Sequence, residues 1–210
     1  LEINGNLAEG WTRKADALHD LGRIQDALAA YTRALDVNPA LSSIWMRKGD
    51  ILSQLGRTED AIAAFTKSLR IEPDQETGWI KLGRANFDLG KYQEAIEAFD
   101  NAISLNQRSI EAFYYKGLSL EKVNRVEGSI HVFEILLEID PDNSQAHYHK
   151  GLALAILGDH RDAVISFDRS VTLAPAFAPG WYAMGRSQLE SGKYEEAIVS
   201  LNHALELQSV

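Results

Sequence analysis

A unit of 34 residues recurs along this chain without insertion or deletion, in frames that begin at Ala8, Ser42, Glu76, Ile110, Ser144 and Ala178. The fourth slot of each frame holds Trp11, Trp45, Trp79, Phe113, His147 and Trp181, so all 4 tryptophans occupy one position. A small-residue slot follows with Ala15, Gly49, Gly83, Gly117, Gly151 and Gly185, then a turn slot with Gly22, Gly56, Gly90, Asn124, Gly158 and Gly192. The second half of the frame aligns Ala27, Ala61, Ala95, Ser129, Ala163 and Ala197. Four residues on stand Tyr31, Phe65, Phe99, Phe133, Phe167 and Leu201. Pro39, Pro73, Pro141 and Pro175 close four of the copies, with Gln107 in the third and Ser209 in the last. An ordinary helical bundle has no reason to keep one spacing six times.

Each slot has a physical reading. Apolar residues recur at i, i+3, i+4 and i+7 in both halves of the frame, which is helix periodicity. The turn glycine suits a left-handed position just past the first helix, and the proline stops the second helix from continuing. Glycine or alanine in the small slots lets paired helices approach closely, while the tryptophan and phenylalanine slots fill gaps between pairs. One pair cannot bury its apolar face alone, so neighbouring pairs must stack.

This pattern resembles the tetratricopeptide repeat, and the resemblance covers residues 8–210 in unbroken register. It implies an all-α fold, a right-handed superhelical solenoid of antiparallel helix pairs. Repeats are expected at 8–41, 42–75, 76–109, 110–143, 144–177 and 178–210. Residues 1–7 read as the remnant of a preceding repeat's second helix, because Leu1-Glu2-Ile3 is similar to Leu137-Glu138-Ile139 and Leu205-Glu206-Leu207. Uncapped ends of this kind would also favour end-to-end self-association.

Composition narrows the function. A formal net charge of −9 disfavours sequence-independent nucleic-acid binding, which needs a positive field. With 0 cysteines there are no disulfides or thiolate metal sites. The longest apolar runs, such as Leu152–Leu157, are too short to span a bilayer, and no signal-peptide pattern opens the chain. A cytoplasmic protein acting on neither nucleic acid nor membrane is therefore expected. No His-Glu-x-x-His spacing, Gly-x-Ser-x-Gly turn or phosphate-cradling Gly-rich loop is present, so no catalytic, cofactor or metal site is expected. The acids that open the second helices, among them Asp26, Asp60 and Glu94, complement the helix dipole and read as structural.

The fourth copy departs most from the frame: Asn124 replaces the turn glycine, Ser129 the alanine, and Leu136 occupies a second small slot. Asparagine tolerates the left-handed turn. Leu136 is expected to push its helix outward or to be accommodated by a local shift.

The resemblance implies that certain first-helix slots line a groove for a protein or peptide. The fifth slot reads Thr12, Met46, Ile80, Tyr114, Tyr148 and Tyr182; the sixth Arg13, Arg47, Lys81, Tyr115, His149 and Ala183; the ninth Asp16, Asp50, Arg84, Leu118, Leu152 and Arg186. One half is thus polar with a basic ladder flanked by acids, and the other is aromatic and apolar. Tyrosines on a rigid scaffold give large contact area at low entropic cost, so Tyr114, Tyr148 and Tyr182 are expected to face a partner; the alternative, open above all for Tyr115, is packing against neighbouring helices. Arg13, Arg47 and Lys81 could meet a partner's acids or pair with Asp16 and Asp50. The asparagines with which chaperone-binding members of the family grip a terminal carboxylate are absent, as is the asparagine ladder of its sugar-transferring members. The expected function is a non-catalytic interaction scaffold with a peptide-binding groove; the alternative is the regulatory or targeting arm of a larger enzyme.

Overall fold

The computed structural model describes the backbone of residues 2–208 and the side chains of residues 7–208. Among the described residues there are twelve α-helices and no strand. They are α1 (Glu2–Asp20), α2 (Ile24–Val37), α3 (Ser42–Gln54), α4 (Thr58–Ile71), α5 (Glu76–Asp88), α6 (Tyr92–Leu105), α7 (Ile110–Lys122), α8 (Val126–Ile139), α9 (Ser144–Ile156), α10 (His160–Leu173), α11 (Ala178–Glu190) and α12 (Tyr194–Gln208). A helix starts at five of the six frame boundaries; α1 starts earlier and runs through Ala8 without a break. Leu1 and the side chains of residues 2–6 lie outside the described set, and with them the repeat-remnant reading of residues 1–7. The helices pack as two compact units, Leu1–Gln107 and Arg108–Val210. Within each unit a second helix that is followed by another pair is sandwiched between its own first helix and the next one.

The turn between paired helices is three residues long, which forces the pair antiparallel. Its middle residue is left-handed in every copy: φ is 72° at Gly22, 70° at Gly56, 73° at Gly90, 58° at Asn124, 85° at Gly158 and 78° at Gly192. The residue after it donates its N–H five residues back, as Lys91 does to Asn86 O at 2.9 Å and Arg125 to Leu120 O at 2.9 Å. This is the Schellman closure, and it satisfies carbonyls that the helix end would otherwise leave bare. Asn124 fills the position because asparagine bears a left-handed backbone better than other side chains.

The small slot and the aromatic slot meet inside each pair. A Cβ built on Gly49 would stand 2.4 Å from the Phe65 ring, on Gly83 2.6 Å from Phe99, on Gly117 2.6 Å from Phe133 and on Gly151 2.7 Å from Phe167. The phenylalanine therefore locks a pair together and is fully buried there, where the sequence suggested that it fills gaps between pairs. In the last copy a half-buried Leu201 meets Gly185 in the ring's place.

The tryptophan slot has a second task. Trp45 Nε1 donates to Pro39 O at 2.9 Å, Trp79 to Pro73 O at 2.7 Å and Trp181 to Pro175 O at 2.8 Å. Each bond ties a first helix to the loop that delivers it from the preceding pair. His147 Nε2 lies 2.9 Å from Pro141 O, and because a carbonyl only accepts, the imidazole donates as the indoles do. Burial holds the His147 pKa below its ordinary value. Histidine in this slot thus keeps the latch and not merely the packing. In the fourth copy Leu136 is accommodated in full burial, and the Ser129 hydroxyl is buried with no partner among the described residues.

The ring-on-glycine contact generates a direct test. Gly83→Leu should lower stability by about 1–3 kcal/mol, as overpacking does. Chemical denaturation at an unchanged midpoint would mean that the slot is not closed by Phe99.

Candidate functional site

The candidate site is the face lined by the first helices of each pair. In the first unit its charges are satisfied within the chain. Arg13 reaches Glu9 at 2.6 Å, one turn away. Arg47 of α3 bonds Asp16 Oδ1 of α1 at 2.6 Å, and Tyr31 of α2 donates its hydroxyl to the same carboxylate oxygen. Burial first, and then the Asp16 carboxylate, push the Tyr31 pKa up. Lys81 of α5 holds Asp50 of α3 at 2.6 and 2.8 Å. Each of the two longer bridges joins the ninth slot of one copy to the sixth slot of the next. Exposed pairs of this kind contribute about 0–1 kcal/mol each, so they mostly set the chemistry of the face. Ile80, at 9% exposure, belongs to the core. Arg84 is exposed beside the Asp50–Lys81 pair.

In the second unit the same slots are aromatic and apolar. Tyr114 sits edge-on to Tyr115 at 5.6 Å, to Phe133 at 6.3 Å and to His149 at 5.8 Å between ring centroids. Tyr148 packs edge-on against Phe177 at 4.9 Å and lies 5.9 Å from Phe167. Burial raises the hydroxyl pKa of Tyr114 and of Tyr148. His149 stacks on Phe133 at 5.7 Å and presents Nδ1 to Glu121 Oε2 at 3.2 Å. Tyr115, Leu118 and Leu152 are half-buried. Tyr182 is 51% exposed, with the Arg186 guanidinium 6.0 Å from its ring centroid. Of the predicted tyrosines, then, Tyr182 offers the open ring; Tyr114 and Tyr148 are wedged among other rings.

A cavity of about 400 Å3 opens on this face among α7, α9, α10 and α11. Leu152, Ala155, Phe167 and Ala183 give it apolar walls, and Glu121, His160, Arg186 and Glu190 line it with polar groups. Glu121 Oε1 and His160 Nδ1 are buried without a partner among the described residues. Neither residue stands out in the sequence, because Glu121 occupies a groove slot only by register and His160 opens a second helix. No three or more His, Cys, Asp or Glu residues among those described are grouped so as to hold a metal ion. No helix among them is long and apolar enough to cross a membrane.

Comparison with known proteins accounts for the frame. Family models described as tetratricopeptide repeat match residues 12–76 and 114–176, and again 178–210, while one described as TPR repeat matches residues 83–124. No protein of curated function matches the chain. Among solved structures, the chain is similar to MamA at 25% identity, with a TM-score of 0.75 over 77% of this chain and 94% of that one. It is similar to YrrB, a TPR protein with an unusual peptide-binding site, at 22% identity and TM-score 0.74 over 86% and 93% of the two chains. A tetratricopeptide repeat protein from Parabacteroides merdae ATCC 43184 aligns at 17% identity and TM-score 0.79 over 96% and 80%. The last two likenesses carry the fold alone. With the six helix pairs in register and these models spread over all six copies, the chain belongs to the tetratricopeptide repeat family.

Proposed function

We propose that the chain is a non-catalytic interaction scaffold that binds a protein or peptide segment on its first-helix face, chiefly in the second unit. The carrying observation is the contrast between the two units. The cations Arg47 and Lys81 already hold Asp16 and Asp50, whereas the second unit presents an exposed Tyr182 beside an apolar-walled cavity. Exposed aromatic and apolar surface of this kind marks interaction sites on soluble proteins. Family membership supports the reading, as does the peptide-binding site of YrrB, a protein of the same fold.

A peptide selected for binding, or a partner recovered by cross-linking and mass spectrometry, supplies the ligand for calorimetry. Tyr182→Ala should weaken that ligand by about 2 kcal/mol or more, the scale of an aromatic anchor. Ile165→Ala, on the exposed surface of α10, should leave affinity unchanged. The reverse ranking would put the partner on the second-helix face.

A second reading concerns the last pair. In the slots that Leu28 and Leu35 bury in the first copy, α12 carries Ile198 at 59% and Leu205 at 62% exposure. We propose that a second copy of the chain covers this face, giving end-to-end association. Sedimentation should show concentration-dependent dimers that Ile198→Asp abolishes; a monomer at every concentration would refute it.

A further inference from the structure

The same slots build a cavity in each unit, three frames apart. In the first unit Asp50, Ser53, Thr58, Phe65, Lys81 and Arg84 surround about 280 Å3. Lys81 enters from the sixth slot and rests its ammonium on Asp50 of the ninth slot at 2.6 and 2.8 Å. In the second unit Phe167 stands in the slot of Phe65, Leu152 in that of Asp50 and Ala183 in that of Lys81. The lysine and its carboxylate are gone, and the space is larger, about 400 Å3.

The second cavity carries an acidic group of its own, in a slot that holds His19 in the first unit. Glu121, reaching in from α7, uses Oε2 on His149 at 3.2 Å, while Oε1 is buried and has no donor among the described residues. A buried acceptor left without a donor is unfavourable, because it has lost water and gained nothing in return. His160 Nδ1 is in the same position and becomes an acceptor when the proton sits on Nε2. Glu190 adds a second carboxylate to the lining. The one guanidinium there, Arg186, lies at the ring of Tyr182.

We propose that this cavity receives a basic side chain, lysine or arginine, from a partner polypeptide, placing a cation in the space that Lys81 fills in the first unit. The aliphatic stem lies along Leu152, Ala155, Ala183 and Phe167, as the stems of long cationic side chains do on apolar surface. The charged head donates to Glu121 Oε1, with Glu190 as the second carboxylate of the lining. The chain's net charge of −9 favours approach of a basic segment. This inference rests on the first-helix face being the binding face, and names the residue that it selects.

The test starts from a phage-displayed random dodecapeptide library panned on the 210-residue chain. Recovered peptides are resynthesised and measured by calorimetry. Lysine or arginine should recur beside apolar residues. Its replacement by norleucine, which keeps the stem and removes the charge, should weaken binding at least tenfold. Glu121→Gln should weaken the parent peptide at least tenfold and the norleucine peptide less than twofold. If norleucine and Glu121→Gln both stay within twofold of the parent while Tyr182→Ala weakens binding, the basic anchor is wrong and the face is right. If Tyr182→Ala also has no effect, or no peptide binds, both readings fall.

Discussion

The contact on which the rest of this structure depends is an aromatic ring set against a residue that has no side chain. In four successive copies the ring carbon lies only 2.4–2.7 Å from where a glycine Cβ would be. Such closeness fixes the separation of paired helices, and the left-handed turn fixes their direction. Together they determine which surface of the second helix is left to meet the next pair. Repetition follows because one pair leaves an apolar face that only another pair can cover. The ring-donor latch onto the loop carbonyl then sets how the next first helix enters. It survives exchange of indole for imidazole at His147 because both rings donate an N–H in that position.

Fixing the frame in this way frees the first-helix face to vary. Within the first unit that freedom goes into ion pairs between successive copies, so the face is charged but internally matched. Within the second unit the same slots hold rings and leucines, with Tyr182 exposed and one Glu121 oxygen buried without a partner among the described residues. Function in such a protein is a property of the few slots the packing does not use.

The framework was legible in the sequence because its determinants are local and repeated. A turn glycine needs only its own φ, and a small slot needs only the helix beside it. The face was less legible because its partners are far apart in sequence. Whether Arg47 is available to a ligand depends on Asp16, 31 positions away, and the same separation divides Lys81 from Asp50. The tyrosines divide similarly: Tyr148 is wedged by Phe177, a loop residue at the next junction, while Tyr182 is half exposed beside Arg186. Position within the frame could not separate them, since both share the fifth slot. The tryptophan latch was missed because its acceptor is a backbone carbonyl, which every residue possesses, and His147 consequently read as packing alone.

The most direct measurement is a double-mutant cycle across one ring-on-glycine contact, Gly117→Leu with Phe133→Ala. Each change alone should destabilise the chain, the first by overfilling the slot and the second by emptying it. Combined, the leucine should occupy space vacated by the ring, so that the double variant is more stable than additivity allows by about 1 kcal/mol or more. Denaturation free energies that add within about 0.3–0.5 kcal/mol would show that the two positions do not meet, and would contradict the account.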